Sequence, residues 1–245
     1  MSAERRRAVA ARFEELDWAQ TPMGEISLRR RHDPVVDAEV YEVKLGDEYL
    51  MSSLFTVAEV ELSRLALAEL AGDQLDVVVG GLGLGHTALT VLEYGRVRSL
   101  VVVEALREVI RWHERGLVPL GAALCGDERT QLLHGDFFAL AEGSGFDPGQ
   151  PDRCFDAIVL DVDHSPRQLL NQRHADFYQP AGLRRVADLL SPGGVFALWS
   201  NDPPDEAFLA ALGEVFARAR AEVVSFPNQL QGGESSNTVY LAHRR

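Results

Sequence analysis

The pattern of apolar and polar positions along the first 56 residues changes repeatedly. Residues 3–16 alternate charged and apolar groups at helical spacing, which predicts a short N-terminal helix over 1–16. Runs at 25–31, 39–44 and 48–52 read as extended and are broken by Asp33-Pro34 and by Leu45-Gly46-Asp47. Extended runs separated by turn residues predict a small antiparallel β-domain, bounded here at 17–56. A helical stretch over 57–70 leads out of it. From about residue 76 strands and helices alternate strictly. Short, largely apolar strands are expected at 77–79, 100–103, 131–134, 155–160 and 195–199, with helices at 86–94, 107–115, 181–190 and 206–218. Apolar strands alternating with helices predict a mostly parallel sheet covered on both faces. Two last strands, near 222–226 and 238–242, are joined by a loop too short for a crossover helix and are expected to pair antiparallel. The predicted fold class is therefore α/β: a doubly wound, seven-stranded domain over 57–245, preceded by the small β-domain.

Composition narrows the function classes. The 245 residues are 46 % hydrophobic and 25 % charged, an ordinary globular balance. Net charge is −13, which argues against a general grip on nucleic acid, since that grip neutralises phosphates with basic groups. The triplets Arg5 to Arg7 and Arg29 to Arg31 are read as solvated faces. Cys125 and Cys154 lie far apart and in no metal-ligand spacing, so neither a disulfide framework nor a metal site is expected. No apolar run approaches the ~20 residues that span a bilayer, and the opening residues lack the apolar core of a secretory signal. A cytoplasmic protein with no membrane partner is the expectation.

Candidate chemistry gathers where the predicted strands end. In open α/β sheets ligands bind beyond the carboxyl ends of the strands. The first parallel strand runs into Gly81-Leu82-Gly83-Leu84-Gly85, a turn that brings backbone close to a ligand. Glu104 ends the second strand, where a carboxylate can accept from both hydroxyls of a ribose. His134-Gly135-Asp136-Phe137 closes the third; an acid there can accept from an adenine amine and a ring can cover the base. Asp161 ends the fourth, in Val159-Leu160-Asp161-Val162-Asp163-His164-Ser165-Pro166. A dinucleotide fingerprint wants a third glycine where this chain has His86, which disfavours a pyrophosphate ligand. Asp161, Asp163 and His164 are the local candidates for handling a proton or a cation. His164 reads equally well as a loop histidine, and Asp163 as a cap ahead of a helix starting near Pro166. Trp199, Phe137 and Phe177 could wall the pocket or belong to the core.

In the order GLGLGH, VVVE, HGD, VLDVDHSP and HADFYQPAGLRRVADLLSPGGVFALWS, the sequence resembles the spermidine synthase (polyamine aminopropyltransferase) family, a branch of the class I S-adenosylmethionine-dependent methyltransferase fold. The likeness runs from about residue 76 to 200. It implies a cofactor loop at Gly81, Gly83 and Gly85 with Gly135 and Phe137 nearby, Glu104 on the ribose, and Asp136 on the adenine. It also implies that Asp161 helps deprotonate an attacking amine; Asp163, the neighbouring carboxylate, is the candidate substrate-binding residue. The implied co-substrate is S-adenosylmethionine or its decarboxylated form, without metal; the implied acceptor is a small amine, and the implied assembly a homodimer or homotetramer. Several positions depart from the family. Leu84 stands where the glycine loop usually carries the aspartate that holds the aminopropyl amine. His164 or Ser165 stands at the second acid of D-x-x-D-P. The D-E-x-x-Y stretch appears as Ala58-Glu59-Val60-Glu61-Leu62, without the tyrosine, and Val40-Tyr41 and Ser52-Ser53 replace the usual Tyr-Gln pair and Asp-Gly turn. Aminopropyl transfer is the main expectation. Methyl transfer from the intact cofactor and ligand binding without turnover are the alternatives that the loss at Leu84 favours, whereas Asp161 favours catalysis.

Overall fold

The computed structural model describes residues 13–228, 230 and 232–245. Four antiparallel strands come first: β1 (Phe13–Thr21), β2 (Gly24–Asp33), β3 (Ala38–Leu45) and β4 (Glu48–Ser52), in spatial order β1-β2-β3-β4. Residues 13–16 thus belong to a strand and not to the expected helix; the rest of that helix, and the first arginine triplet, lie outside the described residues. The strand is set by its ladder to β2 and by Leu16 and Ala19 packing on the core, and charged pairs lie across that ladder. Glu14 and Glu15 face Arg30 and Arg29 across the ladder, with Arg30 Nη2 at 2.5 Å and Arg29 Nη2 at 3.8 Å from the respective carboxylates. Charges that serve a ladder in this way mimic helical spacing when read along one strand. The second arginine triplet is accordingly neutralised, Arg31 bridging Asp33 and Glu42.

The larger sheet has the order β10-β11-β9-β8-β5-β6-β7, formed from β5 (Leu75–Gly80), β6 (Val97–Glu104), β7 (Thr130–His134), β8 (Phe155–Leu160), β9 (Leu190–Ser200), β10 (Arg218–Pro227) and β11 (Glu234–His243). β5 to β9 run parallel, while β11 joins β9, and β10 joins β11, antiparallel. The expected doubly wound sheet with a small antiparallel sheet before it is the observed fold. Strand alternation divides the core in two. Val77 and Val79 of β5 face a cluster with Leu62, Leu67, Val91 and Leu100, which also takes in Ile26, Leu28 and Val43 of the small sheet. Val78 faces the other side, where the aromatic residues gather: Phe137, Phe146, Phe155, Phe177, Phe196 and Tyr240 among them.

Topology places the site. The chain leaves β5 toward β6 and β7 on one side, then crosses to β8 and β9 on the other, so the order reverses at β5 and a crevice opens beyond the strand ends there. Four helices matter for what fills it: α1 (Val57–Ala68), α2 (His86–Leu92), α3 (Arg107–Glu114) and, after the short helix α4 (Gly121–Gly126), α5 (Phe137–Glu142). A 3-10 helix, Gln172–Tyr178, follows β8 and precedes α6 (Pro180–Asp188). The elements α4, α5 and the 3-10 helix, six or seven residues each, are too short to show a periodic signal in sequence.

Candidate active site

A cavity of about 450 Å³ lies beyond the carboxyl ends of β5 to β9 and is roofed by Leu45, Leu50, Met51 and Phe55 from the N-terminal segment. Its floor begins with the glycine turn. Gly81 has φ +95°, and a Cβ there would lie 2.1 Å from the Asp161 carbonyl oxygen, so only glycine lets β5 and β8 end side by side. Gly83, with φ +50°, would place a Cβ 3.0 Å from Met51 Sδ, which shows how tightly the small sheet closes over the turn. Gly85 starts α2 and lines the cavity with them. Behind the turn, His113 Nε2 lies 2.9 Å from the Gly83 carbonyl oxygen and holds that peptide in place. Burial pushes the imidazoles of His113 and of the cavity-lining His86 down from the usual histidine range.

Glu104 lines the same cavity at the end of β6. Its carboxylate accepts from Leu82 N at 3.0 Å and Leu106 N at 2.8 Å, bracing the glycine turn and the start of α3. Burial pushes its carboxyl up although these amides favour the charged form. Each carboxylate oxygen still has a lone pair for a ligand. Gly135 and Asp136 line the cavity at the end of β7. Asp136 caps α5, Oδ1 accepting from Phe138 N at 2.9 Å and Ala139 N at 3.3 Å, and this leaves Oδ2 without a protein donor among the described residues. Phe137 reaches the cavity but is chiefly core: its ring stacks on Phe146 at 4.8 Å and packs edgewise on Phe138 and Phe177. Phe177 does not line the cavity, whereas Trp199 does, with its indole N–H buried and unpartnered among the described residues.

At the end of β8 the acidic candidates separate. Asp161 lines the cavity, and its Oδ2 accepts from Thr87 Oγ1 at 2.7 Å. Burial pushes its carboxyl up, more than this hydroxyl holds it down. His164 also lines the cavity. Asp163 does not: its carboxylate accepts from Leu170 N at 2.8 Å and Tyr178 OH at 2.8 Å and meets His174 Nδ1 at 3.1 Å. Strand geometry explains the split. Asp161 ends the strand on the cavity side, and the chain turns away before Asp163, which becomes an internal anchor for the loop after β8 instead of an acceptor-facing acid. Nor does it cap a helix at Pro166; the residues after it form turns.

Sequence reasoning missed two residues that the fold brings in. Glu59, in the first turn of α1, lines the cavity and faces Asp161. Burial first, then the Asp161 charge, push its carboxyl up to about 8. Burial and mutual repulsion thus raise both carboxyls, so the pair favours holding one proton between them. The available signal was Glu59 itself, at the acid of the D-E-x-x-Y stretch. The other is His174, which lines the cavity from the 3-10 helix. A second, smaller cavity shares Phe55, Glu59 and Trp199 with the first and extends past Asn201 and Asn237. Among the described residues no cluster of three or more His, Cys, Asp or Glu could hold a metal ion. No described helix is long and apolar enough to cross a membrane.

No family model matches the chain. Among curated proteins it is 33 % identical over 173 residues to polyamine aminopropyltransferase 2 of Pseudomonas aeruginosa, covering 65 % of this chain and 46 % of that protein. It is 30 % identical over 206 residues to the polyamine aminopropyltransferase of Nitrosomonas europaea, covering 79 % of this chain and 59 % of that protein. The chain thus spans about half the length of the curated relatives it matches. Among solved structures, spermidine synthase from Thermotoga maritima superposes with a TM-score of 0.69 at 16 % identity, over 94 % of this chain and 72 % of that one. A spermidine synthase in complex with the transition state analogue AdoDATO superposes with a TM-score of 0.72 at 16 % identity, over 94 % and 74 %.

Proposed function

On the premise that the chain is spermidine-synthase-like in sequence and in fold, we propose that it transfers an aminopropyl group from decarboxylated S-adenosylmethionine to a small amine. The observation that carries this reading is the pair formed by Glu59 and Asp161, two facing carboxyl groups at the end of a cavity that begins with a glycine turn and continues past Glu104 to Asp136. In this reading the adenosyl group lies along the turn, Glu104 takes the ribose hydroxyls and Asp136 Oδ2 the adenine amine. The sulfonium end then faces Asp161.

A sulfonium is a strong electrophile, so the protein's task is alignment and proton removal. The acceptor nitrogen attacks the carbon next to sulfur. The amine gives up one proton before it attacks; as the C–N bond forms, the C–S electrons return to sulfur, which leaves as neutral methylthioadenosine, and the new nitrogen remains a secondary ammonium. A free alkylamine with a pKa of about 10 arrives protonated, and the acid pair attracts that cation and accepts the proton. Asp161 is the base in this reading, held in place by Thr87, with His164 beside it as the alternative. Asp163 is not assigned a role at the acceptor because its oxygens already meet three internal donors. The smaller cavity past Trp199, Asn201 and Asn237 accommodates the far end of the acceptor. A homo-oligomeric, cytoplasmic enzyme remains part of this reading on the resemblance alone.

One observation favours a second reading. Leu84 is buried and lines the cavity, so the glycine turn offers no carboxylate to the aminopropyl amine; intact S-adenosylmethionine would then compete, and methyl transfer would result. Calorimetry with methylthioadenosine tests the adenosyl assignment that both readings share. Saturable binding is expected. Absence of heat and of any thermal shift with methylthioadenosine and with either form of the cofactor would remove it.

A further inference from the structure

His174 has no part in the reading above, yet it is the most deliberately oriented side chain at the cavity wall. Its ring stacks on Phe138 at a centroid distance of 3.8 Å and an interplanar angle of 24°. Nδ1 lies 3.1 Å from both oxygens of Asp163. That carboxylate also meets the Leu170 amide and the Tyr178 hydroxyl, so every group facing it is a donor. Facing a carboxylate whose other partners are donors, the neutral ring places its proton on Nδ1, which leaves Nε2 as its acceptor. Nε2 has no protein partner among the described residues, is not a sealed buried atom, and belongs to a residue that lines the cavity. A buried acid, a stacked ring and a capped 3-10 helix thus hold one acceptor nitrogen in a fixed direction.

The position of that nitrogen indicates what it would meet. Phe138, on which the ring lies, donates its backbone N–H to Asp136 Oδ1, so His174 stands at the Asp136 end of the cavity. Asp136 Oδ2 and His174 Nε2 are two acceptors at one end of a site, beside Asn171, whose Oδ1 is taken by the Arg173 amide. An exocyclic amine has two hydrogens to give, while a 6-oxo purine presents a third acceptor and is repelled. We infer that His174, oriented by Asp163, is a specificity residue that reads the 6-amino group of the purine together with Asp136. This rests on the adenosyl reading proposed above and adds a determinant to it.

Binding of 5′-methylthioadenosine and 5′-methylthioinosine to the full chain tests the inference. The wild type is expected to favour the 6-amino ligand at least tenfold. His174→Phe keeps an aromatic ring for the stack but removes Nε2. It is expected to weaken methylthioadenosine about 3- to 10-fold, as loss of one hydrogen bond does, and to leave methylthioinosine unchanged or tighter. Equal loss for both ligands, or no change in either, overturns the inference. A wild type that binds both ligands equally overturns it while leaving the adenosyl reading intact; a wild type that binds neither removes that reading as well. Should the variant not fold, long-range ¹H–¹⁵N spectra of the wild type decide: a proton on Nδ1 with a bare Nε2 is expected, and a proton on Nε2 overturns the assignment.

Discussion

Glu59→Gln separates an acid that holds a proton from an ordinary surface carboxylate. In the folded protein Glu59 is pushed up to about 8 from an ordinary 4.5, by burial and by the charge of Asp161. A folded-state value above the unfolded one means that the native state binds the proton more tightly. The associated stability is fully present below about pH 4.5 and is lost as pH rises through about 8. At about 1.4 kcal/mol per pH unit, that span sets a ceiling of roughly 5 kcal/mol. Glu59 borders the cavity and keeps some contact with solvent, so screening brings the working figure to about 2–4 kcal/mol. Glutamine retains the shape and cannot ionise. Urea unfolding at pH 5, 6, 7, 8 and 9 should therefore give nearly equal stabilities for wild type and variant at pH 5. The variant should become the more stable by about 2–4 kcal/mol at pH 9. Working with the difference cancels the general self-repulsion of a chain with net charge −13. Curves that stay parallel across the series would refute the reasoning, and with it the facing acid pair.

Three further outcomes follow from the same geometry. Glu104→Ala should weaken methylthioadenosine binding by about 1.5–3 kcal/mol, as loss of charge-assisted hydrogen bonds does, and should also lower the unfolding midpoint because Leu82 N and Leu106 N lose their acceptor; unchanged affinity in calorimetry places the ribose elsewhere. Asp161→Asn should keep methylthioadenosine affinity and lose about 100-fold or more in turnover, as general-base removal does, so a fully active variant in a steady-state assay transfers the base role to His164. Leu84→Asp places an acid in the cavity wall at some cost in stability, since Leu84 is buried; aminopropyl transfer should rise in a product assay, and a fall argues against the role given to that position.

The fold was legible in sequence wherever an element stands on its own pattern. β8 occupies 155–160, as expected, because the apolar run from Ala157 to Leu160 is what a strand buried on both faces carries whatever its neighbours are. β1 was not legible: Glu14 and Glu15 look helical in one dimension, and only the partner arginines on β2 reveal a ladder. The site divides in the same way. Gly81, Gly83, Gly85, Glu104, Asp136 and Asp161 all terminate strands, so chain order alone brings them to one crevice. Glu59 and His174 arrive from a helix before the sheet and a 3-10 helix after it, and their nearness to Asp161 and Phe138 is created by tertiary packing. Asp163 shows the converse. Two residues from Asp161 in sequence, it is drawn inward by donors from Leu170, His174 and Tyr178, none of which can be placed before the chain is folded.

Transfer of an aminopropyl group to an amine in this cavity is tested by the products of a single incubation. The protein is given decarboxylated S-adenosylmethionine or the intact cofactor together with a pool of di- and polyamines, and the mixtures are followed by mass spectrometry. Methylthioadenosine and an amine carrying one added aminopropyl group are expected from the decarboxylated cofactor, with Asp161→Asn blocking both. S-adenosylhomocysteine with a methylated product from the intact cofactor, and no aminopropylated amine from the other, would contradict it.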